Sequence, residues 1–129
     1  MLAVDTNVVV RYLVRDDAVQ ATRAAALIRE NRIWITKTVL LETEWVLRSV
    51  YSYSPERVTE ALRVIVGVPT AFVEDAPVVA KALDWSENGL DFADALHLAS
   101  AGAAEGFATF DRELAKQARH LSPLNLIVL

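Results

Sequence analysis

Residues 2–14 read LAVDTNVVVRYLV, a short apolar strand that ends before Asp5 and a helix that follows it to about Val14. The same alternation recurs along the chain, where short apolar segments typical of strands are separated by longer segments typical of helices. Each strand is apolar on both of its faces, as in parallel sheets that helices cover on both sides. The sequence therefore predicts a parallel α/β sandwich.

The remaining elements follow from local signals. Ser54 is a typical helix cap, Pro55 suits the first turn, and Gly67 and Gly106 are expected to end helices. Strands are predicted over residues 2–4, 33–35, 70–73, 107–110 and 125–129. A helix is predicted after Asn7 to about Val14, although the VVV run at residues 8–10 alone would suit a strand. Further helices are predicted over residues 18–30, 38–51, 55–66, 78–85, 91–104 and 112–119. No repeat, low-complexity segment or linker interrupts the chain, so we expect one domain over residues 1–129.

Composition excludes several classes of protein. The chain has 129 residues, of which 53% are hydrophobic and 23% charged, and this excludes intrinsic disorder. The absence of cysteine excludes disulfides, thiolate metal sites and a cysteine nucleophile. No segment predicts a membrane span or a signal peptide, so we expect a soluble, cytoplasmic protein. The net charge of −4 does not indicate nucleic-acid binding, although ten of the thirteen basic residues are arginine, which suits phosphate contacts.

Acidic residues follow two of the predicted strands. Asp5 comes directly after the first strand and Asp111 directly after the fourth. Ligands of open parallel sheets bind beyond the carboxyl ends of the strands, so both carboxylates are candidates for a functional site. Both positions also suit a helix N-cap, and the sequence leaves the two roles open.

Two glutamates lie two residues apart in the apolar segment VLLETEWVL, residues 39–47. Glu44 has Arg48 four residues later, so we expect an ordinary exposed ion pair. Glu42 has no such partner, and a helical wheel places it on the flank of the apolar arc, where a carboxylate needs a cation or hydrogen bonds. Glu42 is therefore the functional candidate and Glu44 is expected to be dispensable.

Asp91 and Asp94 stand at the start of a predicted helix, where Asp91 suits the cap and Asp94 the first turn. Together with Asp5, Glu42 and Asp111, Asp94 completes a set of four carboxylates from four segments. Clustered carboxylates repel one another unless a cation relieves the repulsion, and an oxygen-only set favours Mg²⁺ or Mn²⁺. Such an ion activates water and stabilises charge on a phosphodiester during in-line attack. His97 and His120 are expected to be structural or surface residues, with a substrate contact open to His97.

Four motifs together resemble the signature of the PIN domain. They read VDTN at residues 4–7, LE at 41–42, DFADAL at 91–96 and ATFDR at 108–112, in the order of that family and over essentially the whole chain. In length and motif detail the chain is similar to the VapC toxins of VapBC toxin–antitoxin pairs. The resemblance implies a three-layer α/β/α sandwich with a short parallel sheet, Mg²⁺- or Mn²⁺-dependent RNA endonuclease activity, a homodimer and a VapB-like antitoxin partner.

The resemblance also implies roles for individual residues. By position, Asp5, Glu42, Asp94 and Asp111 match the acidic quartet of the family. The auxiliary candidates are Thr6, Asn7, Asp91, Thr109 and Glu113. Glu113 stands where the family often has aspartate, and Leu114 where phenylalanine is common, so these departures affect an auxiliary ligand and packing.

Three alternatives remain at this point. A phospho-accepting receiver domain has similar acid placement, but Glu74 and Arg112 stand where it needs an aspartate and a lysine. An aspartyl phosphatase needs an acid at the position of Asn7. A PIN-like domain that has become a binding scaffold would usually have lost a carboxylate of the quartet. For the homodimer, the apolar residues Trp45, Val50, Tyr51 and Tyr53 exceed what one small core needs.

Overall fold

The computed structural model describes residues 1–129 and divides them into two compact units, residues 1–76 and 77–129. The elements of the first unit are β1 (Leu2–Ala3), α1 (Thr6–Val14), α2 (Ala18–Glu30), β2 (Ile33–Ile35), α3 (Lys37–Ser49), α4 (Pro55–Val66) and β3 (Ala71–Val73). The elements of the second are α5 (Ala76–Glu87), which begins at the boundary, α6 (Phe92–Ser100), β4 (Gly106–Thr109), α7 (Arg112–Ala118) and β5 (Asn125–Val128). Seven helices and short parallel strands confirm the predicted α/β class. No helix has the length and apolar character needed to cross a membrane.

The first unit contains a three-stranded parallel sheet in the order β1-β2-β3. Leu2 pairs with Ile33, and Ile33 with Ala71, so the amino-terminal ends of the three parallel strands are aligned. Ile33 and Ile35 are fully buried, as are Leu40 and Leu47 of α3, because the strands and helices close on one another through apolar side chains. Burial of each such side chain stabilises the fold by about 1.5–3 kcal/mol.

The second unit contains β4 and β5 as a two-stranded parallel sheet, with Gly106 opposite Asn125. A β-carbon at Gly106 would lie 2.8 Å from the Asn125 carbonyl oxygen, so the close approach of the strands requires glycine there. Gly106 was expected to end a helix, and this expectation was wrong because α6 already ends at Ser100 and a turn follows it. The predicted extension of that helix to Ala104 was wrong for the same reason.

Other boundaries differ by one to three residues. α3 begins at Lys37 rather than Thr38 because Thr36 caps it, its hydroxyl oxygen accepting a hydrogen bond from the Val39 N–H at 3.3 Å. It ends at Ser49 rather than Tyr51, and Ser52 beyond it has a left-handed backbone with φ of 56°. The predicted start of α4, with Ser54 as cap and Pro55 in the first turn, is confirmed.

Candidate active site

Asp5 and Asp111 occupy equivalent local positions beyond β1 and β4. Each is the N-cap of the next helix, with one carboxylate oxygen accepting from a backbone N–H: that of Val8 at 3.2 Å for Asp5, and that of Leu114 at 3.0 Å for Asp111. Both residues are exposed. The cap holds the carboxylate in place through its Oδ1 atom, and Oδ2 accepts no hydrogen bond from the protein. The capping role is therefore confirmed for both, and it leaves one oxygen of each for a ligand.

Thr109 fixes the backbone that carries Asp111. Its hydroxyl oxygen accepts a hydrogen bond from the Asp111 N–H at 2.9 Å, which closes a short turn between the end of β4 and the start of α7. Thr109 and the cap to Leu114 thus restrain Asp111 from both sides. Glu113 lies exposed in the first turn of α7, one residue after Arg112.

Asp94 is the most perturbed carboxyl group of the chain. Partial burial at the start of α6 raises its pKa, and the neighbouring charges of Asp91 and Asp111 raise it further, while His97 lowers it. Asp91 caps the helix, since its Oδ2 accepts from the Asp94 N–H at 3.1 Å. Asp94 therefore lies within range of the charges of both Asp91 and Asp111.

The environments of the two glutamates of α3 are the reverse of those expected. Glu44 is buried with Leu40, Thr43 and Leu47, whereas Glu42 is exposed. The Arg48 Nε–H donates to Glu44 Oε1 at 2.9 Å, and the Glu44 side chain is only 8% exposed against 48% for Arg48. The expectation of an ordinary surface pair was wrong, because the packed face of α3 is the Leu40–Leu47 face rather than the face of Trp45.

The remaining candidates fall into the two units as follows. Thr6 is buried and Asn7 exposed in the first turn of α1, directly after Asp5. His97 and His120 are exposed, and only His97 lies near the acids of the second unit. Within neither unit do three or more histidine, aspartate or glutamate side chains converge closely enough to hold a metal ion. The assembly of Asp5 and Glu42 with Asp94 and Asp111 into one site stays a prediction.

Phe110 has no role predicted from the sequence. It was predicted inside the fourth strand, but β4 ends at Thr109 and Phe110 is 79% exposed beside Asp111. The sequence did contain a signal for this exposure. Because Asp111 caps the next helix, the chain has to leave the strand just before it, at Phe110. Phe110 adds an open aromatic face next to the acidic residues.

These features define a class of α/β proteins with carboxylates held beyond the ends of short parallel strands. Residues 2–120 match the model of the PIN domain, so the chain belongs to the PIN domain family. PIN domains are generally nucleases, which hydrolyse phosphodiester bonds, typically use divalent metal ions and bind RNA. No curated protein matches the chain. The family match favours the PIN interpretation over the receiver and phosphatase alternatives.

Proposed function

We propose that this chain is a Mg²⁺- or Mn²⁺-dependent RNA endonuclease, a single catalytic domain over residues 1–129, and the cytoplasmic toxin of a type II toxin–antitoxin pair. The observation that carries the proposal is the environment of Asp94, which lies partly buried at the start of α6, with its charge also opposed by those of Asp91 and Asp111. Such repulsion destabilises the free protein, and a bound cation would relieve it. Carboxyl groups in this situation are common at functional sites.

The donor set fits a hard divalent cation. The residues that would hold it are Asp5, Glu42, Asp94 and Asp111, with Thr6, Asn7, Asp91, Thr109 and Glu113 as auxiliary candidates. All four principal donors are carboxylates, the ligands that Mg²⁺ and Mn²⁺ prefer, and neither lysine nor arginine pairs with any of them. When bound, such an ion supplies a more acidic water and stabilises negative charge on the phosphodiester.

Hydrogen bonds within the chain orient the carboxylates of Asp5 and Asp111. The N-cap hydrogen bonds of Asp5 and Asp111 fix one oxygen of each carboxylate, so little side-chain entropy is lost when the other oxygen takes a ligand. Thr109 restrains Asp111 further through its hydroxyl. Burial and the charges of Asp91 and Asp111 raise the pKa of Asp94, and a bound cation would lower it again.

The homodimer and the VapB-like antitoxin belong to the same proposal. Trp45 in α3 is 54% exposed and Val50, directly after the end of α3, is 61% exposed, which supports a protein contact there. Tyr51 and Tyr53 contribute less than the sequence implied, because both are half-buried and engaged by side chains of the first unit. The dimer surface we propose therefore centres on Trp45 and Val50.

An RNA cleavage assay tests the enzyme. Wild-type protein should cleave RNA in Mg²⁺ or Mn²⁺ and stop in EDTA, and Asp111→Asn should lose activity while keeping the cap. Asp17→Asn is the matched control, because Asp17 also caps a helix, accepting from the Gln20 N–H at 3.0 Å, but lies outside the proposed site. Cleavage that persists in EDTA contradicts the metal mechanism. Absence of cleavage with either ion favours the scaffold interpretation.

The toxin role needs a separate experiment. Induced expression in a bacterial host should arrest growth for the wild-type chain and for Asp17→Asn, but not for Asp111→Asn. Co-expression of the adjacent reading frame should restore growth if that frame encodes the antitoxin. Normal growth at a verified level of folded protein contradicts the toxin role and leaves the nuclease proposal to the cleavage assay.

A further inference from the structure

An open cavity of about 290 Å³ lies in the first unit, between the carboxyl end of α1 and the helix α4. Its lining includes Tyr12 and Arg15 on one side and Tyr53, Arg57 and Glu60 on the other. We refer to this cavity as the Tyr–Arg groove. None of these residues belongs to the acidic set, so the groove is a separate feature of the surface.

Each arginine of the groove stacks on a tyrosine. The Arg57 guanidinium carbon lies 3.8 Å from the centre of the Tyr53 ring, and that of Arg15 lies 5.0 Å from the centre of the Tyr12 ring. Both arginines are exposed, and neither forms a salt bridge. Their positive charges are thus held over aromatic rings without being neutralised by a carboxylate.

The backbone at both arginines is fixed by local hydrogen bonds. Arg15 has a left-handed backbone with φ of 59°, and its N–H donates to the Arg11 carbonyl oxygen at 3.2 Å, ending α1. Arg57 lies in the first turn of α4, where its N–H donates to the Ser54 hydroxyl oxygen at 3.2 Å. Both arginines therefore project from capped helix ends.

A closed polar network ties the two walls together. The Arg11 guanidinium donates to Asp16 Oδ1 at 3.1 Å and to the Tyr51 hydroxyl oxygen at 3.3 Å, and the Tyr51 hydroxyl donates to Asp16 Oδ2 at 3.2 Å. Arg11 directly precedes Tyr12, and Tyr51 lies two residues before Tyr53. The network therefore holds the two tyrosine–arginine pairs in a fixed relation without occupying the groove itself.

We propose that the Tyr–Arg groove binds single-stranded RNA through its backbone phosphates and stacked bases. Two arginines against one acid, Glu60, give the groove a positive balance in a chain whose net charge is −4. Nucleobases stack on tyrosine rings and on guanidinium planes, and arginine bridges phosphate oxygens, so one ligand uses both components of each pair. Leu13, Ala61 and Val64 complete the lining, so charged and aromatic residues outnumber aliphatic ones, whereas a site for a protein segment would be mainly apolar.

The inference rests on the proposed function, because it takes RNA as the ligand, but binding can be measured without cleavage. The probe is a fluorescein-labelled 2′-O-methyl oligoribonucleotide of mixed sequence, in EDTA, with Kd from anisotropy over a series of KCl concentrations. Arg15→Gln and Arg57→Gln should each weaken binding by about threefold to tenfold and reduce the salt slope by about 0.7 per lost phosphate contact. Tyr53→Leu should weaken binding about tenfold through lost stacking.

Arg29→Gln is the control of equal charge change. Arg29 lies on α2, is 71% exposed and pairs only with its neighbour Glu30 at 3.5 Å. Its variant should keep the affinity and the salt slope of the wild type. Thermal melts of all variants separate loss of binding from loss of fold.

The outcomes separate the groove from the active site. Groove variants that match Arg29→Gln in Kd and slope, or a wild-type chain that does not bind the probe, overturn the proposal and leave the groove to a protein segment. Specific loss of binding in the groove variants, in a chain that cleaves no RNA, supports the groove and contradicts the proposed nuclease. If the chain cleaves RNA but the groove variants bind the probe as the wild type does, the result supports the nuclease and contradicts the groove.

Discussion

Glu44 and Glu42 offer a direct test of how α3 divides structural from functional acids. Glu44→Gln removes a buried charge that Arg48 neutralises at 2.9 Å, whereas Glu42→Gln removes an exposed charge from the opposite side of the helix. The substitutions are chemically identical and lie two positions apart. On a helix that spacing corresponds to about 160° of rotation, so the two side chains occupy different environments.

The expected magnitude follows from the exposure of the two partners. Removal of one partner from a fully buried pair costs about 3–5 kcal/mol because the other charge is left without compensation. Here the Arg48 side chain is 48% exposed, so water solvates it, and an amide at position 44 still accepts its N–H. We therefore expect Glu44→Gln to lower the free energy of unfolding by about 1–2 kcal/mol, or the melting temperature by roughly 3–8 °C.

The measurements are chemical denaturation in EDTA and RNA cleavage in Mn²⁺ well below the melting temperature. Glu42→Gln should unfold within about 0.5 kcal/mol of the wild type, as exposed substitutions usually do, and lose cleavage by orders of magnitude. Glu44→Gln should be less stable and retain cleavage. The double variant Glu44→Gln/Arg48→Gln should lose less stability than the sum of the single variants, because the two residues interact.

Two results would refute this reasoning. If Glu44→Gln unfolds at the denaturant midpoint of the wild type, the Glu44–Arg48 pair does not stabilise the fold. If folded Glu44→Gln is inactive while Glu42→Gln cleaves normally, the functional acid of α3 is Glu44 and the quartet is misassigned.

Four further predictions concern other positions. Asp94→Asn should raise the melting temperature of the metal-free protein at pH 7, because the pKa of Asp94 is raised in the folded state and its charge therefore opposes folding. The gain should vanish below pH 3.8, where Asp94 is protonated in both the folded and the unfolded state. Equal gains at pH 7 and below pH 3.8 would contradict this. Asp5→Asn should keep wild-type stability but lose cleavage, whereas Asp5→Ala should also lose about 1 kcal/mol with the cap to Val8, and denaturation curves distinguish the two. Thr43→Val should raise the free energy of unfolding by about 1 kcal/mol, because the Thr43 hydroxyl is buried without a hydrogen-bond partner; a lower denaturant midpoint would show that the hydroxyl is satisfied. Light scattering should give twice the 14.2 kDa chain mass for the wild type and a single chain mass for Val50→Glu, and a monomeric wild type at micromolar concentration would contradict the dimer.

The sequence alone determined the features that depend on nearby residues. The caps at Asp5, Ser54, Asp91 and Asp111 were predictable because a capping side chain bonds an N–H only three residues away. The strands were predictable from short apolar runs between turn residues, although Leu2, Phe72 and Ile127 of β1, β3 and β5 are exposed. These local rules also placed two candidate acids beyond strand ends before any tertiary contact was known.

Only the tertiary structure decided which faces are packed. In α3 apolar residues lie on both sides, so periodicity did not distinguish the Leu40–Leu47 face from the Trp45 face, and Glu42 and Glu44 were given the wrong environments. The Tyr–Arg groove likewise joins the end of α1 to the start of α4, and its two tyrosines, Tyr12 and Tyr53, are about forty residues apart in the chain. Local hydrogen bonds are set by neighbours in sequence, whereas burial is set by whichever distant element packs against a face, and a single sequence does not specify that partner.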